Sequence, residues 1–140
     1  MGHTNASVEK NLQMVKQHFD SEMGNDSSQV ITTYTSDIVW ESPGHPNGEI
    51  HRGIADVKAN YDWILEHLKL LDLKSLERFA TEDRVVDDGI VLGEVKKDGF
   101  VPFPPGTKLS FRILHVFDMR EGLISKERSF LSLKPVENER

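Results

Sequence analysis

Apolar residues recur every three or four positions in the first half of the chain and every second position in the last third. Val8, Leu12, Val15, Phe19 and Met23 fall on one helical face, which predicts an amphipathic helix opened by a cap at Asn5 or Ser7 and ended by Gly24-Asn25. Asp26 then caps a short second helix, with Gln29 three residues on in a capping-box pattern and Val30, Ile31 and Tyr34 on its apolar side. From Ser36 to Ser42 the period changes to two, placing Ile38, Trp40 and Ser42 on one face of a strand. Pro43 to Gly48 reads as a loop. A third helix follows Gly53, with Ile54, Val57, Tyr61, Ile64, Leu65 and Leu68 as its buried stripe and Trp63 off that stripe.

Strands are predicted around Lys74–Val85, Ile90–Lys96, Leu109–Asp118 and Leu123–Leu133. Turns are predicted at Asp87-Asp88-Gly89 and along Asp98–Gly106, where three prolines exclude regular pairing. Gly93 inside a strand marks a bend or a close approach. Helices first and strands afterwards is the α+β order. The expected architecture is a cone: a strongly curved antiparallel sheet wrapped around the N-terminal helices, as one domain spanning 1–140 with an ordered core from about 7 to 134. The polar tail Pro135–Arg140 is expected to fray.

The candidate chemistry lies in the last two strands. Leu109, Phe111, Ile113, His115 and Phe117 share one face, apolar except for the imidazole at its centre. A three-residue loop Arg120-Glu121-Gly122 would set His115 opposite Glu127, with Cβ atoms about 4.5–5.5 Å apart. Such a pair, joined across the cavity by His18 and Ser42, is suited to moving a proton beside a carbonyl, because imidazole titrates near neutral pH. Trp40, Phe111, Ile113 and Phe117 would supply an apolar wall. The alternative is a core histidine that has merely found a partner. On the outer face Ser110, Arg112, Leu114 and Val116 alternate, and Leu114 and Val116 would leave an apolar patch if exposed, which predicts a homodimer through the sheet.

Composition narrows the field. With 140 residues, 37 % hydrophobic and 29 % charged, the chain is of ordinary globular make-up. A formal charge of −6 with no basic cluster argues against a nucleic-acid partner. No apolar run reaches the ~20 residues of a membrane span. The absence of cysteine excludes disulfides and thiolate sites, and fits a cytoplasmic protein. His45, His51 and Glu49 lack a usual zinc spacing. Neither metal nor cofactor is expected.

Several segments in order resemble the SnoaL-like polyketide cyclases of the nuclear transport factor 2-like (ketosteroid isomerase-like) superfamily. They are Y-T-S-D-I-V-W-E-S-P, the H-R-G entering the third helix, P-P-G-T-K-L-S-F-R-I-L-H-V-F and R-E-G-L-I-S-K-E-R-S-F. The resemblance implies the curved sheet around a helix, a homodimer, and a pocket for a small hydrophobic carbonyl compound. The residues depart from each template. Where ketosteroid isomerases carry their proton-shuttling Asp this chain has Ser42, and their oxyanion-hole groups match His18 and His115. The Asp–Arg–Asp relay of limonene-type epoxide hydrolases matches Ser129, Val95 and Lys97, so Ser129 and Val95 are counted as pocket lining and that relay is absent. The cyclases' last-strand Asp falls near Ser132, leaving Glu127 as the strand's carboxylate. The implied activity is a cyclase, isomerase or dehydratase working without a cofactor; the alternative is a non-catalytic binding or structural module of the same fold.

Overall fold

In the computed structural model, residues 2–132 are described, with side chains from residue 6 onward. Helix α1 (Gly2–Met23) and the short α2 (Ser27–Val30) lead through a single 3-10 turn into strand β1 (Tyr34–Glu41). Strand β2 (Ile50–Arg52), helix α3 (Ile54–His67) and strands β3 (Leu68–Ala80), β4 (Arg84–Val95), β5 (Lys108–Arg120) and β6 (Leu123–Leu131) complete the order. The six strands form one curved, unclosed sheet in the order β2-β1-β6-β5-β4-β3. All neighbours are antiparallel except β1 and β6, which run parallel. The α+β cone expected from the pattern is the fold observed. The tail Pro135–Arg140 lies outside the described residues.

The first helix runs back through Ser7 and Asn5 to Gly2, so neither residue serves as its cap. Its buried face is Asn11, Val15, His18, Phe19 and Glu22, spaced by three and four. The apolar members pack with Val30, Tyr34, Ile38, Trp40, Val57, Tyr61 and Phe117 in the main core. Asn11 is inward because its amide donates to the carbonyls of Thr81 and Glu82, tying the β3–β4 turn to the helix. Asp26 caps α2 as expected, accepting from the Ser28 amide.

Two strand boundaries differ from expectation. Strand β3 begins at Leu68, directly after α3, and β4 runs without a break through Asp87-Asp88-Gly89, where a turn was expected. The turn lies instead between Ala80 and Arg84. Asp87 faces inward at 1 % exposure, and the Arg78 guanidinium (2.7 Å) and Ser75 hydroxyl (2.5 Å) across the ladder hold its carboxylate. Gly89 is there because β3 bulges between Ser75 and Glu77. A Cβ at Gly89 would lie 2.8 Å from the Lys74 carbonyl oxygen. A turn-like composition is thus consumed by cross-strand pairing.

The β5–β6 hairpin also departs from the expected loop. Glu121 (φ 54°) and Gly122 (φ 79°) both adopt left-handed backbone, giving a two-residue turn flanked by Arg120 and Leu123. Ser125 then bulges out between Ile124 and Lys126. His115 therefore pairs with Ser129 and Phe117 with Glu127, two residues from the predicted register. An even shift keeps side-chain parity, so Glu127 still points to the interior.

Candidate active site

Six polar side chains from five elements meet where α1 crosses the concave face. Helix α1 supplies His18 and Glu22 one turn apart; β1 opens with Tyr34, α3 contributes Tyr61, β5 His115 and β6 Glu127. All six are buried. Glu127, 1 % exposed, is the hub. Its Oε1 accepts a 2.6 Å hydrogen bond from the Tyr34 hydroxyl and lies 3.5 Å from His18 Nε2, while its Oε2 lies 3.7 Å from His115 Nε2. Tyr61 donates its single hydroxyl proton to Glu22 Oε2 at 2.7 Å, so its 3.3 Å approach to Glu127 is a contact without a donated proton.

The protonation of His18 follows from its neighbours. Thr33 gives its hydroxyl proton to the Val30 carbonyl at 2.7 Å, so His18 Nδ1, 3.0 Å from Thr33 Oγ1, must be the donor of that pair. Its Nε2 then faces Glu22 at 3.3 Å and Glu127 at 3.5 Å, without the alignment of a hydrogen bond to either. Burial alone would push the imidazole down, but the Glu127 and Glu22 charges outweigh it and lift His18 to about 10. Burial likewise works to raise Glu127, and the His18 charge, His115 and the Tyr34 hydrogen bond together hold it below the usual carboxylate range. Tyr34 and Tyr61 are pushed well above an ordinary phenol by burial and by the Glu127 charge.

In front of this cluster is a cavity of about 90 Å³. Its polar end is formed by Glu22, Tyr61, His115 and Glu127, and Trp40, Leu68, Leu73, Val91, Phe111 and Ile113 are among its apolar walls. Ser42 and Ser129 also line it, the Ser42 hydroxyl donating to the Ser129 carbonyl at 2.9 Å. Phe100, from the loop after β4, adds a wall, and His45 lines the cavity with Nε2 bonded to Asn60 Oδ1 at 2.9 Å.

Of the expected site residues, His115, Glu127, Trp40, Ser42, Phe111, Ile113 and Ser129 lie on the cavity. His18, Val95 and Phe117 do not. His18 is at 0 % exposure behind Glu22 and Glu127, Phe117 stacks beneath His115 (5.4 Å between centroids, planes within 2°), and Val95 packs against Leu68 and Leu109 at the far end of the sheet. Face parity alone cannot separate a wall residue from one packed under a helix. Glu22, Tyr34 and Tyr61 escaped the sequence reading. The four-residue spacing of His18 and Glu22 was a usable signal, whereas the two tyrosines read as ordinary apolar positions. His45, His51 and Glu49 form no cluster: His51 Nδ1 bonds Asp56 (3.0 Å) and Glu49 accepts from the Gly44 amide (2.8 Å).

The sequence matches the SnoaL-like domain over residues 15–127. The chain belongs to the SnoaL-like family. That match begins within α1 and ends on Glu127, so it contains every side chain of the cluster. Among solved structures, this SnoaL-like domain resembles a proposed polyketide cyclase from Xanthomonas campestris pv. campestris (TM-score 0.75, 16 % identity, 91 % of this chain and 94 % of that one). It also resembles an NTF2-like protein from Burkholderia xenovorans LB400 (0.69, 23 %, 90 % and 92 %) and an LEH-like epoxide hydrolase from M. tuberculosis (0.72, 14 %, 91 % and 86 %). At these identities the likeness is one of fold. No curated protein matches the sequence. Among the described residues, no helix is long and apolar enough to cross a membrane.

Proposed function

We propose that this SnoaL-like domain is an enzyme of the cyclase or isomerase type, moving a proton on a small hydrophobic carbonyl compound with its own side chains. The observation that carries this reading is the state of His115. His115 lines the cavity; its Nδ1 is buried without a hydrogen-bond partner, and its Nε2 lies 3.7 Å from the Glu127 carboxylate. An unpaired buried nitrogen costs stability, about 1–3 kcal/mol, unless a ligand completes it. The Glu127 carboxylate, 3.7 Å from Nε2, faces the imidazole as it takes a proton from the substrate. His115 then returns the proton elsewhere on the same molecule, as a double-bond shift or an aldol closure requires.

The cavity bounds the substrate. At about 90 Å³ it is smaller than the ~150 Å³ that holds a benzene ring, so a short chain or one small ring fits, and anything larger must extend along the Phe100 loop. The donors available to an enolate oxygen are few, since both tyrosine hydroxyls are engaged by carboxylates. The working form is proposed to be a homodimer joined through the outer sheet face, where Leu114 and Phe130 pair across β5–β6 at 37 % and 43 % exposure. The direct test is exchange of α-protons of small cyclic and open-chain ketones in D2O, followed by NMR. Exchange above the buffer rate supports an enzyme. Saturable binding without exchange supports the binding module instead.

A further inference from the structure

The His18–Glu22–Glu127 cluster has features that proton transfer at His115 does not use. His18 Nε2, at 0 % exposure, has no hydrogen-bond partner and points between two carboxylates. One ligand atom from each of His18, Glu22 and Glu127 lies within 4.8 Å of the others. Ligands held at about 2.0–2.1 Å in a tetrahedron stand roughly 3.3 Å apart. The His18 nitrogen is 3.3 Å from Glu22 and 3.5 Å from Glu127.

Charge favours a divalent occupant. With a proton on His18 the cluster holds two carboxylates against one imidazolium, leaving a net negative charge in a buried setting. A divalent cation bound to neutral His18 and both carboxylates brings that sum to zero. The outer contacts are those that metal ligands need. His18 donates Nδ1–H to Thr33, which fixes the tautomer with Nε2 free; Tyr34 donates to Glu127 and Tyr61 to Glu22. Glu22 and Glu127 line the cavity, so a fourth position would open toward a ligand. Three protein ligands with an open position is the pattern of a catalytic rather than a structural metal.

We infer that His18, Glu22 and Glu127 form a binding site for a divalent transition-metal ion of the zinc type, with one coordination position facing the cavity. Mixed imidazole and carboxylate donors suit zinc, cobalt or manganese better than calcium, which takes six to eight oxygens. The ion and the His18 proton exclude one another. With the ion bound, Glu127 becomes a ligand and the proton-carrying role stays with His115, so the two readings can fail separately.

The test uses the full chain freed of metal and titrated with Co²⁺, read by its visible absorption, with no substrate present. The expected result is one equivalent bound with the intense bands of a four-coordinate ion, displaced by Zn²⁺. Glu22→Gln should weaken binding by about tenfold or more, as should Tyr34→Phe through the freed carboxylate. A His51→Ala variant, at a histidine away from the cavity lining, should bind as the parent does. Circular dichroism checks that each variant is folded; if Glu22→Gln is not, His18→Gln takes its place. A spectrum unchanged from aqueous Co²⁺ would overturn the site. So would binding that survives in Glu22→Gln and His18→Gln, or that disappears in folded His51→Ala.

Discussion

The Tyr34 hydroxyl donates a 2.6 Å hydrogen bond to Oε1 of Glu127, joining the first residue of β1 to the middle of β6 in a buried setting. Hydrogen bonds to a charged partner contribute about 1.5–3 kcal/mol, and here the acceptor is buried at 1 % exposure. Tyr34→Phe is expected to lower stability by about 2 kcal/mol in urea denaturation, with an unchanged m-value. A loss well under 1 kcal/mol would mean that Glu127 finds another donor.

Stability should depend on pH through His18, whose imidazole faces Glu22, Glu127, Tyr34 and Tyr61. Its folded value of about 10 is above the 6.5 of the unfolded chain. The contribution is complete below pH 6.5 and disappears as pH rises toward 10, because the folded state binds the extra proton across that window. The slope is at most about 1.4 kcal/mol per pH unit. Glu127 has the opposite sign: its lowered value gives stability above about pH 4.5 that is lost on acidification. Denaturation with a chelator present should therefore show a decline on both sides, and His18→Gln should remove the alkaline one.

Asp87 makes a second, independent test. Arg78→Ala leaves a buried carboxylate with only Ser75 as a partner, and breaking a buried pair costs about 3 kcal/mol or more. Asp88→Asn next to it removes an exposed partner of Arg112 and should leave the urea midpoint within experimental scatter. Equal effects from the two would contradict the inward placement of Asp87.

The outer sheet face gives a test of assembly. Leu114→Asp places a charge in the exposed apolar pair with Phe130, and sedimentation should then report a monomer while the parent sediments as a dimer. A monomeric parent at micromolar concentration would remove the proposed interface.

How far the sequence carried this reading differs from element to element. The alternation Leu109, Phe111, Ile113, His115, Phe117 was legible because one face of β5 is buried along its length, and period two records that directly. The Asp87-Asp88-Gly89 run was misread because its composition is that of a turn, while Arg78, Ser75 and the β3 bulge that accommodate it lie about ten residues away. Register failed for a related reason: the bulge at Ser125 has no local signature, although its even shift left the interior face intact. The Tyr34–Glu127–Tyr61–Glu22 network joins four elements, and such long-range hydrogen bonding leaves no mark in spacing.

The central claim is that His115 carries the proton, and one comparison reaches it most directly. Deuterium incorporation into a ketone that the parent protein exchanges should be followed by NMR for the parent and for His115→Gln, at equal and saturating ligand. The account predicts that exchange falls to the buffer rate in His115→Gln at saturating ligand while the urea midpoint changes little, because Nδ1 has no protein partner to strand. Exchange that persists in folded His115→Gln would contradict it.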